Sequence, residues 1–148
     1  MSRARALLPT LCGVAIALVF AGAAVPKLID PGSFAADIEN YRVVPDAWAG
    51  HIALYLPALE LVIALALLWP RYRQGAALLA TGCLLAFGVA MAQARVRGID
   101  LSCGCFGAAF ESKVSWWTVV RSGVLALVAA VPLLSSSPRI AVATPAVD

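Results

Sequence analysis

Four apolar runs, at residues 7–26, 52–69, 75–94 and 116–134, constrain this chain more than any other feature. Each comes close to the ~20 residues that an α-helix needs to cross the hydrocarbon core of a bilayer. The composition agrees: 62% of the 148 residues are hydrophobic and only 13% are charged. A mean hydropathy of +0.91 leaves too few polar side chains to clothe a water-facing surface. In lipid, every backbone N–H and C=O must find its partner within the chain, and spanning segments of this length do so as helices. The expected fold is all-α, an integral membrane four-helix bundle occupying residues 1–134. Residues 135–148, rich in Ser, Pro and Ala without periodicity, read as a disordered cytoplasmic tail. The net charge of +3 is dispersed over the loops, which excludes the basic stripe of a nucleic-acid binder and leaves the lipid bilayer as the first partner.

The first run has a second reading as a signal peptide, since Ser2 to Arg5 form a basic leader and Ala21, Ala23 and Ala24 offer small residues near a cleavage point. Its length, and Gly13, Ala17 and Ala21 at i, i+4 spacing, favour a permanent span that packs closely on another helix. For orientation, Arg3, Arg5, Arg71, Arg73 and Arg139 on one side balance Lys27, Arg42, Arg95, Arg97 and Lys113 on the other. The arginines before the first span and the pair in the short second loop break the tie and place both termini in the cytoplasm. The expected location is a bacterial-type cytoplasmic membrane that the multi-pass chain crosses several times. The two longer loops, which hold Asp30, Asp37, Glu39, Asp46, Asp100 and Glu111, then face outward.

In the first outer loop Asp30, Pro31 and Gly32 make a turn, after which Phe34, Ile38 and Tyr41 recur at i, i+4, i+7. That pattern predicts a short amphipathic surface helix, ended by Pro45. Trp48 and Tyr55 anchor one end of the second span and Trp69 and Tyr72 the other, while Trp116 and Trp117 mark the start of the fourth. Gly82, Ala86, Ala90 and Ala94 in the third span form a small-residue stripe suited to close helix approach.

The sharpest chemical signal is Cys103, Gly104, Cys105, Phe106, Gly107, placed in the loop expected to face the oxidising side. Residues i and i+2 bring their Cα atoms within the ~4.4–6.8 Å a disulfide tolerates, with strain that makes such a bond reducible. Three readings stand: a redox-active pair, which leads, a structural bond, and metal ligation. Zinc lacks a closed ligand set, because the other candidates are His51 in an interfacial loop and Cys12 and Cys83 inside spans, where they read as small apolar packing residues. No resident cofactor is expected; copper(I), which accepts two thiolates, and quinone stay open. With no second cysteine pair on the outer side, redox work requires an external partner. Arg95, Arg97 and Lys113 would favour a thiolate at Cys103 or Cys105.

Glu60 is the one acid deep inside a span, where a charge needs a partner. Arg121, about one turn into the fourth span, is the first choice and Lys27 the second, giving an expected ion-pair cluster of Glu60, Arg121 and Lys27 beneath the outer loops. Such a cluster serves function or only fixes helix register.

Lys27 with Leu28, the segment from Phe34 to Tyr41, Pro57 with Glu60, the C-x-C-F-G element from Cys103 to Gly107, and Trp117 with Arg121 together resemble the MauE branch of the DoxX-like membrane proteins, named for methylamine utilisation. The resemblance implies a four-helix membrane protein tied to redox maturation of periplasmic proteins, in the methylamine system the disulfide-rich dehydrogenase small subunit, with a thioredoxin-like protein among its partners. The leading expectation is a thiol-disulfide component in which Cys103 and Cys105 exchange with such a partner or with a disulfide-containing client. The rivals are a noncatalytic assembly scaffold, whose cysteines only shape a docking loop, and a metal or small-solute carrier built on Glu60.

Overall fold

The computed structural model describes residues 2–98 and 115–134, with side chains from residue 7 onward. Cys103, Cys105 and the rest of the C-x-C-F-G element, Lys113, and the tail at 135–148 lie outside the described residues. The four apolar runs become the helices α1 (Ser2–Ile29), α3 (Asp46–Leu68), α4 (Arg73–Val96) and α5 (Trp116–Leu134), each long and apolar enough to cross a membrane. Between α1 and α3 lies the short α2 (Pro31–Tyr41). The fold is the expected four-span helical membrane architecture with one surface helix.

Helix ends depart from the apolar runs for local reasons. The third helix begins at Asp46, several residues before its apolar run, because Pro45 occupies the N-cap and the Asp46 carboxylate sits in the first turn, where the helix dipole favours negative charge. Accordingly Pro45 starts α3 and does not end α2. The surface helix stops earlier, at Tyr41, where Arg42 adopts a left-handed conformation with φ 50° and donates its N–H to the Glu39 carbonyl at 3.0 Å. Its start is set by Asp30, whose carboxylate accepts from the Ser33 N–H at 3.0 Å, followed by Pro31 at a helical position that has no N–H to lose.

The helices pair as α1 with α3 and α4 with α5, closed by α1 against α5 and α3 against α4, and α2 lies on α3. Small side chains dominate the shared core: Ala17 of α1, Ala64 of α3, Ala76, Ala77 and Ala80 of α4, and Ala126 and Ala129 of α5, with Ile16, Phe20, Ile63 and Leu67 filling between them. Lipid supplies no hydrophobic drive between helices, so close backbone approach and hydrogen bonds must hold them together. At the α1 side Gly13 lets Leu67 O and the Arg73 side chain come within about 3.5 Å of where its Cβ would lie. Arg73 exploits that approach, donating to the Leu67 carbonyl at 3.2 Å and to Thr10 Oγ1 at 2.9 Å, so one guanidinium ties α1, α3 and α4. Ser122 of α5 donates to the Leu84 carbonyl of α4 at 2.7 Å, beside Gly88.

The small-residue stripe of α4 is not the helix's packing face. Gly82 has open space where a Cβ would stand, Ala86 is exposed and Ala90 is half-buried; only Ala94 is fully buried. The buried face instead carries Ala76, Ala77, Ala80, Leu84 and Met91, with Gly88 against Ser122. This helix has small residues on two faces, and α5 takes the one whose Gly88 accommodates Ser122. The leucines, valines and tryptophans left outside, among them Leu18, Leu65, Leu79, Leu127 and Trp117, form the surface that lipid covers.

Candidate functional site: a buried ion pair between two cavities

Lys27 sits in the last turn of α1 and Glu60 near the middle of α3, both buried. Because α1 and α3 pack along their lengths, Lys27 turns inward beneath α2, and its Nζ donates to Glu60 Oε1 at 2.6 Å, with each side chain 2% exposed. An unpaired carboxylate at membrane depth is costly, and this partner neutralises it. The pair is also caged by rings: Nζ lies 4.9 Å from the centroid of Phe34 on α2 and 5.2 Å from that of Phe87 on α4. These separations are within the range of cation–π attraction, which is strongest where water is excluded. One polar atom is left over: Glu60 Oε2 is buried and has no hydrogen-bond partner among the described residues.

Two cavities meet at Lys27. The smaller, about 40 Å³, is lined by Lys27, Glu60, Arg121, Thr118 and Ser122 together with apolar side chains of α1 and α4. It is polar on one wall and large enough for a small number of water molecules, the natural partners of an orphaned carboxylate oxygen. The larger, about 300 Å³, lies beneath α2 and between α3 and α4, with Phe34, Asp37 and Tyr41 above and Cys83, Phe87 and Met91 along α4. Ala86 and Ala90, two members of the stripe, line this space, so their small size opens a cavity here. Burial at its rim pushes the Asp37 carboxyl above its ordinary value of 3.8.

The structure thus gathers Glu60, Lys27 and Arg121 around one cavity, but the partner it gives Glu60 is Lys27, the second choice of the sequence reading, and not Arg121. The reason is helix pairing: α3 packs on α1 far more extensively than on α5. Arg121 lies in the cavity wall and makes contacts of its own. Cys12 and Cys83 are free and half-buried; Cys83, read as a packing residue, lines the larger cavity with Lys27. His51 is exposed, its ring tilted against Trp48 at 6.4 Å between centroids. Arg97 donates to the Arg42 carbonyl at 3.1 Å, tying the end of α4 to the end of α2. Sequence reasoning missed the rings around Lys27. For Phe34 a signal existed, because the Asp30–Pro31 turn folds the apolar stripe of α2 back over the end of α1; for Phe87 there was none. No three His, Cys, Asp or Glu side chains among the described residues converge in a way that could hold a metal ion.

Four spanning helices that bury an acid neutralised by a lysine, under a short amphipathic helix, define a small polytopic membrane protein with an internal charge site. The chain belongs to the family described as methylamine utilisation protein MauE, whose model matches residues 5–135. It is 36% identical over 115 residues to a methylamine utilization protein MauE from Paracoccus denitrificans, covering 77% of this chain and 62% of the relative. It is 39% identical over 113 residues to the protein of that name from Methylorubrum extorquens, covering 76% and 61%. With the one from Methylophilus methylotrophus it shares 38% over 124 residues, 80% of this chain and 65% of the relative. The chain therefore spans less than two thirds of the length of these curated relatives. No solved structure matches it.

Proposed function

We propose that this protein is a membrane component of extracytoplasmic thiol-disulfide chemistry serving methylamine utilisation, in which Cys103 and Cys105 exchange with a periplasmic thioredoxin-like protein or a disulfide-containing client. The observation that carries the reading is the pair Cys103-Gly104-Cys105, held in the connection from α4 to α5 of a chain whose relatives are named for methylamine utilisation. Both helices meet that connection at the α2 end of the bundle, the end under which Lys27, Glu60 and Arg121 line one cavity. This cluster sets the local charge beneath the connection and fixes the register of the spans that carry it.

The exchange is balanced within the two proteins. One cysteine thiolate attacks a sulfur of the partner's disulfide, forming a mixed disulfide and releasing one partner thiolate. The second cysteine then displaces the other, leaving a Cys103–Cys105 bond and a reduced partner; two electrons and two protons have passed to the partner. The reverse sequence oxidises the partner, and the relative potentials set the direction. A strained i, i+2 disulfide is an oxidising one, which favours passing the bond on to a client.

Thiol trapping in isolated membranes, with a membrane-impermeant alkylating reagent across a series of glutathione potentials, tests this. We expect the pair to titrate reversibly above about −250 mV from the outer side. A pair locked as a disulfide under strong reductant, or one that never oxidises, assigns the cysteines a structural or metal-binding role and rejects electron transfer. Replacing both with serine should abolish growth on methylamine while the protein still inserts; unimpaired growth favours the scaffold.

A further inference from the structure

We propose that the larger cavity, beneath α2 and between α3 and α4, is a binding site for an uncharged, lipid-soluble ring compound whose carbonyl oxygen accepts a hydrogen bond from Lys27 Nζ. The first ground is the unspent capacity of Lys27. An ammonium carries three donors, and among the described residues only Glu60 Oε1 takes one. Buried as Lys27 is, the remaining donors face Phe34 and Phe87, which line the larger cavity with it. A ring face is a weak substitute for an oxygen acceptor, so an oxygen entering there gains a charge-assisted hydrogen bond.

Charge decides what bears that oxygen. Lys27 and Glu60 already neutralise one another, so a carboxylate or phosphate head would add an uncompensated anion in a region of low dielectric, with Asp37 also in the wall. A cationic head would be repelled by Lys27. A neutral carbonyl satisfies the donor without adding charge. The walls select the body: the rings of Phe34, Tyr41 and Phe87 and the thioether of Met91 suit a flat ring, and about 300 Å³ is the lower end of the size range of small-molecule pockets. Ala86 is both exposed and in the lining, so an aliphatic tail on the ring has a way out towards lipid between α3 and α4. A lipid acyl chain alone would fill the volume but leave the Lys27 donors unused.

The test uses the full chain in phosphatidylcholine nanodiscs, with decylubiquinone as the neutral carbonyl probe and decanoate as the anionic comparison, bound probe being quantified after separation of the discs. Saturable binding of decylubiquinone at one per chain is expected, with decanoate at least tenfold weaker. Ala90→Leu fills the cavity from α4 without touching the ion pair and should weaken decylubiquinone at least tenfold. The double variant Lys27→Met with Glu60→Gln, which leaves no lone buried charge, should do the same while the spans still melt cooperatively. Absence of saturable binding to the wild-type protein, unchanged binding in Ala90→Leu, or decanoate binding as tightly as decylubiquinone overturns the proposal. The serine replacement of Cys103 and Cys105 separates this site from the thiol reading. Unchanged binding there supports a site made by α1 to α4 alone, and lost binding places the determinant outside the cavity and overturns it.

Discussion

Lys27 and Glu60 illustrate how a single residue's cost depends on its neighbour. Removing one partner strands the other as a buried charge, so Lys27→Met should destabilise the protein by about 3–5 kcal/mol, read as a lowered melting temperature in detergent or nanodiscs. Replacing both by methionine should restore most of that loss, because a well-packed apolar pair often equals or exceeds a buried ion pair in stability. A double variant no more stable than Lys27→Met would show that the pair contributes more than mutual neutralisation. Asp37 gives a pH dependence of definite sign. Its carboxyl titrates above 3.8 in the fold because burial disfavours the charged form, so the docking of α2 is strongest below about pH 4 and weakens as pH rises through the raised value. Protection of the α2 amides, taken relative to the intrinsic base-catalysed exchange rate at each pH, should fall over that window, and Asp37→Asn should remove the fall. At this scale Glu60 was legible, since an acid in an apolar run must find a partner. Which cation it finds was not, because Lys27 and Arg121 both lie within reach of the same depth.

Among the elements, α2 was legible almost in full. The Asp30–Pro31 start and the Phe34, Ile38, Tyr41 spacing are local signals, and the structure buries Phe34 and half-buries the other two. Asp30→Ala removes the acceptor for the Ser33 N–H and should cost the helix about 0.5–2 kcal/mol, again visible in amide exchange of α2. The packing face of α4 was not legible, since Gly82, Ala86, Ala90 and Ala94 compete with a second small-residue face containing Gly88. A Cβ at Gly88 would stand 3.5 Å from Ser122 Oγ, an ordinary contact. Gly88→Ala should therefore be tolerated, whereas Gly88→Leu forces α4 from α5, breaks the Ser122 bond to Leu84 and should cost about 1–3 kcal/mol. Equal melting temperatures for the two variants would contradict this crossing.

For the whole molecule, the four long apolar helices support a multi-pass membrane protein, and the arginine distribution leads us to propose that both ends of the described chain face the cytoplasm. Reporter fusions at either end should both report a cytoplasmic location; opposite locations would remove one span. The sequence by itself determined the number of long apolar helices, the surface helix and the need of Glu60 for a cationic partner, because apolar length, turn residues and short periodicities act within a few turns of chain. Only the tertiary structure decided that Lys27 and not Arg121 meets Glu60, that one α4 face packs while the other lines a cavity, and that Cys83 and Asp37 share that cavity. The reason is that lipid makes the outward face of a spanning helix as apolar as the inward one. Hydrophobic pattern then carries little information about how each helix is rotated, and that rotation is set by many small contacts with the other helices.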